Sequence, residues 1–143
     1  MFLHHLNERQ KGQVVVLAHQ LAMADGEDAQ EEEDILRALK QEAGVASVDS
    51  AQVLAPIDVS AFDSRGARVA GTLDLLVLAF SDEYLDPEET HFLGRLAGAM
   101  GFRQEQFDEL VGWAYDYGQA TLHSDAAARE ALQARAAEMI AGT

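Results

Sequence analysis

The chain has 143 residues, of which 48% are apolar and none is cysteine, and its formal net charge is −15. The length suits one domain with a sizeable core, and the lack of cysteine excludes disulfides, zinc–thiolate sites and cysteine nucleophiles. So acidic a chain lacks the basic face that nucleic acid or an anionic membrane requires, and we expect neither as a partner. It favours cations instead, either metal ions or basic proteins.

The N-terminal sequence MFLHHLNERQKG lacks the basic stretch and long apolar run of a secretory signal. The longest apolar run, residues 75–80, is too short to span a bilayer. We therefore expect a cytoplasmic protein with no membrane insertion.

The first predicted unit is an apolar helix, an acidic elbow and an amphipathic helix. The apolar helix covers residues 13–24, and VVVLAHQLAMA is apolar around most of its circumference, as in the centre of a bundle. The first elbow starts at Asp25, and Asp28 can cap the next helix with Glu31 at its third position. That helix carries the apolar stripe Ile35, Leu36 and Leu39, and we expect Gly44 to stop it in a left-handed conformation.

A second unit of the same kind follows a less regular segment. Residues 50–54 suit a short helix, and Asp63 or Ser64 can cap a second apolar helix over residues 68–80. The second elbow starts at Asp82, and Asp86 followed by Pro87 is a favourable helix start. The amphipathic helix after it has the stripe and glycine stop Phe92, Leu93, Leu96, Met100 and Gly101.

Two further helices are predicted after the second unit. Residues 103–117 place Phe107, Leu110 and Trp113 at helical spacing, and an alanine-rich helix covers residues 125–140, with Ser124 as its cap. No stretch shows the period-two alternation of a strand. The sequence therefore predicts an all-α, single-domain bundle of about six or seven helices that spans residues 1–143.

The two units are copies of one another in sequence. Residues 21–44 align without a gap on residues 78–101, an offset of 57, with identical residues at eight positions. The repeat covers about 13–44 and 68–101, so we expect an internally duplicated helical hairpin. The elbows are not identical: Gly26 in the first copy corresponds to Glu83 in the second, which lacks glycine's freedom at positive φ.

The pattern LAMADGEDAQEEEDIL followed by LAFSDEYLDPEETHFL resembles the TerB-like family of tellurite-resistance-associated helical domains. The resemblance extends over roughly residues 6–114. It implies an all-helical fold, a metal-binding or stress-associated role and no catalytic activity. By motif, the acidic positions of the family correspond here to Asp25, Asp28, Glu31, Glu32, Asp82, Asp86, Glu88 and Glu89.

Two explanations of the acidic elbows stay open. Carboxylates in the first turn of a helix are favoured by the helix dipole, and Asp25 or Asp82 can accept hydrogen bonds from amides of its own bend. Asp25 and Asp82 nevertheless follow the C-terminal end of a helix, where the dipole disfavours an anion. A divalent cation such as Ca²⁺, Mg²⁺ or Mn²⁺, held by several oxygens, would offset this cost.

No catalytic motif is present, and we expect a protein that is not an enzyme. Glu88-x-x-His91 is half of a di-iron signature, but its partners are missing, so we expect His91 to be a surface residue. His19 on the apolar helix suggests a hydrogen-bonded core histidine, and we expect the side chains of His4 and His5 to point in different directions. Two functions remain: a metal-binding accessory domain of the stress or tellurite-resistance type, or an acidic protein–protein interaction module with no metal.

Overall fold

The computed structural model describes residues 2–24, 30–81 and 87–142, without the side chains of residues 30–32. Within those ranges the chain forms seven α-helices and no strand. The helices are α1 (Glu8–Ala22), α2 (Gln30–Ala43), α3 (Ser50–Leu54), α4 (Arg65–Ala79), α5 (Pro87–Met100), α6 (Gln104–Leu122) and α7 (Ala126–Ala141), and a short 3-10 turn, Leu3–His5, precedes α1. The predicted all-α bundle is confirmed.

The bounds of the helices keep the offset of the sequence repeat. Both ends of α4 and both ends of α5 lie 57 residues after the matching ends of α1 and α2. The N-caps correspond as well. Asn7 caps α1 by accepting a hydrogen bond from the backbone N–H of Gln10 (2.9 Å), and Ser64 caps α4 by accepting one from that of Ala67 (3.1 Å). The repeated sequence thus gives the same succession of helices in the same register.

Glycine ends the amphipathic helix in both copies. Gly44 has φ = +72° and Gly101 has φ = +79°, a conformation in which a residue with a Cβ atom is strained. The amide that follows each glycine donates back into the helix, from Val45 to the Lys40 carbonyl (2.9 Å) and from Phe102 to the Ala97 carbonyl (3.1 Å). These bonds close the last turn as in a Schellman motif, and the predicted stops are confirmed.

The core lies between and around α1 and α4, which pack against each other. Helices α2, α3 and α5 lie against α1, and α6 and α7 lie against α4. Because each central helix has neighbours on several sides, apolar residues are needed around most of its surface, as the sequence has them. Trp113 of α6 is fully buried, and its indole N–H donates to the Leu132 carbonyl of α7 (2.8 Å), which ties the two last helices together.

Several helix bounds differ from the prediction. Helices α1 and α4 begin earlier than residues 13 and 68 because polar first turns, which carry no apolar signal, continue the helix back to the capping residues. Helix α6 likewise extends past residue 117 to Leu122. The predicted Ser124 cap is wrong: Ser124 has φ = +53°, and Asp125 caps α7 by accepting a hydrogen bond from the N–H of Ala128 (3.0 Å).

No helix in the described ranges is both long enough and apolar enough to cross a membrane.

Candidate functional site

The two central helices end in the same way, so the chain enters both elbows from equivalent positions. The two amides that precede each elbow donate back into the final turn of the helix, with N···O distances of 3.0–3.2 Å. They are Met23 to His19 and Ala24 to Leu21 in the first copy, and Phe80 to Leu76 and Ser81 to Leu78 in the second. In the second copy the Ser81 hydroxyl adds a hydrogen bond to the same Leu78 carbonyl (2.7 Å). The acidic residues that follow therefore continue from two matching helix ends.

Most of the predicted metal ligands fall outside the described residues. The four aspartates of the elbows belong to the two gaps: Asp25, Asp28, Asp82 and Asp86. Glu31 and Glu32 belong to the first turn of α2, and the structure does not describe their side chains. The prediction for these six residues stays a prediction, and the geometry of Glu88 and Glu89 is the part that can be examined.

Glu88 and Glu89 lie in the first turn of α5 and point in different directions. The side chain of Glu88 is exposed, whereas Glu89 is only 1% exposed. A buried carboxylate requires hydrogen bonds or a cation to compensate for the loss of water, and the N-terminal turn of a helix is where the dipole favours its charge. Glu89 thus belongs to the interior beside the second elbow, and Glu88 belongs to the surface.

The Glu88-x-x-His91 pattern faces solvent, since both side chains are exposed. A di-iron centre needs these residues to project into the bundle. His91 is the surface residue that the sequence predicts. Among the described residues, no three His, Asp or Glu side chains come close enough together to hold a metal ion.

His4 and His5 come together in the 3-10 turn before α1. Their ring centroids are 4.1 Å apart and the rings are tilted by 41°. The expectation that adjacent histidines diverge is wrong here, because it assumed α-helical geometry. Burial, and to a lesser degree the neighbouring His4, lowers the pKa of His5, which favours the neutral form of the His5 imidazole.

Asp74 is a buried carboxylate that the sequence analysis did not single out. It lies in the middle of α4 with 0% exposure, and its Oδ1 accepts a hydrogen bond from the backbone N–H of Phe2 (2.8 Å). Its Oδ2 has no hydrogen-bond partner in the described part of the chain. Burial raises the pKa of Asp74 to about 7, although the Phe2 N–H acts in the opposite direction. The feature of the sequence that could have indicated this buried carboxylate is the single acidic residue in the apolar run VAGTLDLLVLAF.

Asp74 also fixes the position of the N-terminal segment. The hydrogen bond to Phe2 brings that segment onto α4, and Phe2, Leu3 and Leu6 are all buried. The Phe2 ring contacts Trp113 edge to face, with centroids 5.5 Å apart. Asp74 therefore helps to hold the N-terminal segment against α4.

Comparisons of the chain with models of protein families, with curated proteins and with solved structures found no match.

Proposed function

We propose that this protein is a non-enzymatic, cytoplasmic TerB-like domain that binds a divalent cation at its acidic elbows, as an accessory protein in stress or tellurite resistance. The observation that supports the proposal most is that the two elbows occupy equivalent positions in the repeat. Each joins a central apolar helix to an amphipathic helix at matching residues, 57 apart, and follows a helix end with the same hydrogen bonds. Acidic residues at Asp25 and Asp82 therefore recur in the same local context.

The physical case for a cation rests on where these two aspartates fall along the chain. Each follows the last residue of a helix, Ala22 of α1 or Ala79 of α4, by three positions, near the end at which the dipole opposes a negative charge. The carboxylates at the helix starts need no such compensation, because the dipole favours them there. Hard divalent ions take six to eight or so oxygen ligands from carboxylates, carbonyls and water. Ca²⁺, Mg²⁺ or Mn²⁺ suits an elbow of this composition, which offers no thiolate and no histidine.

Titration calorimetry with Ca²⁺, Mg²⁺, Mn²⁺ and Zn²⁺ tests this proposal. The wild-type protein is compared with the double variant Asp25→Asn/Asp82→Asn. The control is Asp108→Asn/Asp116→Asn, which removes the same charge from exposed positions of α6. We expect at least one ion to give heat and to raise the melting temperature of wild type and control, because a ligand that binds only the folded state stabilises it. Neither effect should occur in the elbow variant. The proposal fails if no ion does either at millimolar concentration.

An acidic interaction module with no metal is the second candidate. It is favoured by carboxylates that are exposed on the described surface, among them Glu33 and Asp34 of α2 and Glu105, Asp108 and Asp116 of α6. Such a module would bind a basic protein by electrostatic attraction, which salt screens over distances of about 10 Å. In a pull-down experiment, the captured partner should be lost as the salt concentration rises and retained when a chelator is added. A partner whose binding depends on a metal would instead be lost with EDTA. A partner retained at high salt contradicts this second candidate.

A further inference from the structure

A groove between α1 and α2 has a basic wall, in contrast to the acidic surface of the protein. It has a volume of about 700 Å³ and an apolar floor formed by Ala22, Leu36 and Val45. Met23, which is 58% exposed, lies at its edge. His19 of α1 and Arg37 and Lys40 of α2 form the basic wall, and Glu33 is the carboxylate among the lining residues.

Lys40 is one of the two permanent cations of this wall. It is half-buried, and it forms no ion pair with any carboxylate whose side chain the structure describes. Arg37 is more exposed and has Asp34 at 3.4 Å. The chain has only ten lysines and arginines against 25 acidic residues. Two of the ten therefore line one groove, and one of these two has no negative partner among the described side chains.

His19 lies beside Lys40 and has no hydrogen-bond partner for its Nε2 among the described residues. Its side chain is half-buried and this nitrogen is enclosed, contrary to the expected hydrogen-bonded core histidine. Burial, followed by the charge of Lys40, lowers the pKa of His19. A negative group placed at this wall would offset the repulsion between Lys40 and the imidazolium and would give the basic groups a charged acceptor.

We propose that this groove binds a small organic anion, with its carboxylate or phosphate against Lys40, Arg37 and His19 and its apolar part over Ala22, Leu36 and Val45. The arrangement is that of a ligand pocket with an apolar floor and a few convergent polar groups. The charge of the ligand is opposite to that of the cation proposed for the elbows. The two proposals thus concern different ligands at different residues, and either one can fail alone.

The test is an NMR titration of ¹⁵N-labelled protein with hexanoate, hexyl phosphate, inorganic phosphate and hexanol. We expect hexanoate or hexyl phosphate to shift amides of α1 and α2 saturably. Inorganic phosphate should bind more weakly because it lacks the apolar part, and neutral hexanol should not bind. Binding should also raise the pKa of His19, because the anion stabilises the imidazolium. The NMR signals of the His19 ring protons report this pKa. The other charged residues that line the groove are Glu33, Arg37 and Lys40.

Matched variants identify the cation that carries the binding. Lys40→Gln should weaken binding about tenfold or more, the effect of one charge-assisted contact, whereas Lys40→Arg should retain it. Lys11→Gln is the control, because Lys11 lies on α1 outside the groove and pairs with Glu8 at 3.5 Å. The proposal is overturned if neither anion gives a saturable shift, if hexanol binds as well as the anions, or if Lys11→Gln and Lys40→Gln weaken binding equally.

Discussion

Replacing Asp74 by asparagine should stabilise the protein at alkaline pH and remove part of its pH dependence. Asp74 is fully buried, with Oδ1 bonded to the Phe2 N–H at 2.8 Å. Asparagine keeps an oxygen in that position and cannot ionise. Because Oδ2 has no partner in the described part of the chain, the amide nitrogen that replaces it breaks no hydrogen bond described there.

The magnitude follows from the raised pKa. The value of about 7 exceeds the ordinary value of 3.8 by about three pH units, and each unit corresponds to about 1.4 kcal/mol. The folded state keeps its proton between pH 3.8 and 7, whereas the unfolded chain has released it. This group therefore makes stability fall as the pH rises through that window, by about 4 kcal/mol in all. Above pH 7 the loss is complete, and the asparagine variant should show the largest gain there.

Urea unfolding, followed by circular dichroism at pH 5.5, 7 and 8.5, measures the effect. All three pH values lie above the pI, which is near 4.4. The stability of Asp74→Asn relative to wild type should increase between pH 5.5 and 7 and change little from there to pH 8.5. Asp116→Asn, an exposed carboxylate on α6, is the control and should follow the wild-type profile within about 0.5 kcal/mol. If the stabilities of Asp74→Asn and wild type change in parallel with pH, Asp74 does not cause this pH dependence.

Three substitutions test the packing and the helix ends by chemical denaturation. Gly101→Ala should destabilise the protein by about 1 kcal/mol or more because φ is +79° at this position. Gly98 occupies an open helical position in α5, so Gly98→Ala should stabilise the protein by up to about 1 kcal/mol. Equal effects of the two substitutions would contradict the proposed role of Gly101. Gln20→Ala removes hydrogen bonds from Nε2 to three carbonyls around α3 and should cost about 1–3 kcal/mol, with faster amide exchange in α3 alone. Trp113→Phe removes the bond to the Leu132 carbonyl and should cost about 1–3 kcal/mol, a loss that an unchanged urea midpoint would exclude.

The helices were predictable where apolar spacing and helix-stop residues coincide. The stripes of α2 and α5 and the glycines that end them define both C-termini, because few residues other than glycine adopt positive φ. The start of α1 was not predictable from apolar spacing, since its first turn is polar. Gln10 in that turn is nevertheless buried, because its amide donates to the Ala61 carbonyl and to Asp63, and such a contact between distant segments leaves no periodic signal.

The candidate sites were less predictable than the helices. The acidic elbows stand out in sequence because their residues are adjacent along the chain. The basic groove does not, because His19 and Lys40 are 21 residues apart and meet only when α1 packs against α2. Asp74 was missed for a related reason: one carboxylate in an apolar run resembles a surface position until the helix is found to be covered on every side.

Equilibrium dialysis against millimolar Mn²⁺, followed by elemental analysis of the protein, tests cation binding at the elbows most directly. We expect at least one bound manganese per chain in the wild-type protein and in Asp108→Asn/Asp116→Asn, and a loss of that ion in Asp25→Asn/Asp82→Asn. Wild-type protein that retains no manganese, or an elbow variant that retains as much as the control, would contradict this expectation.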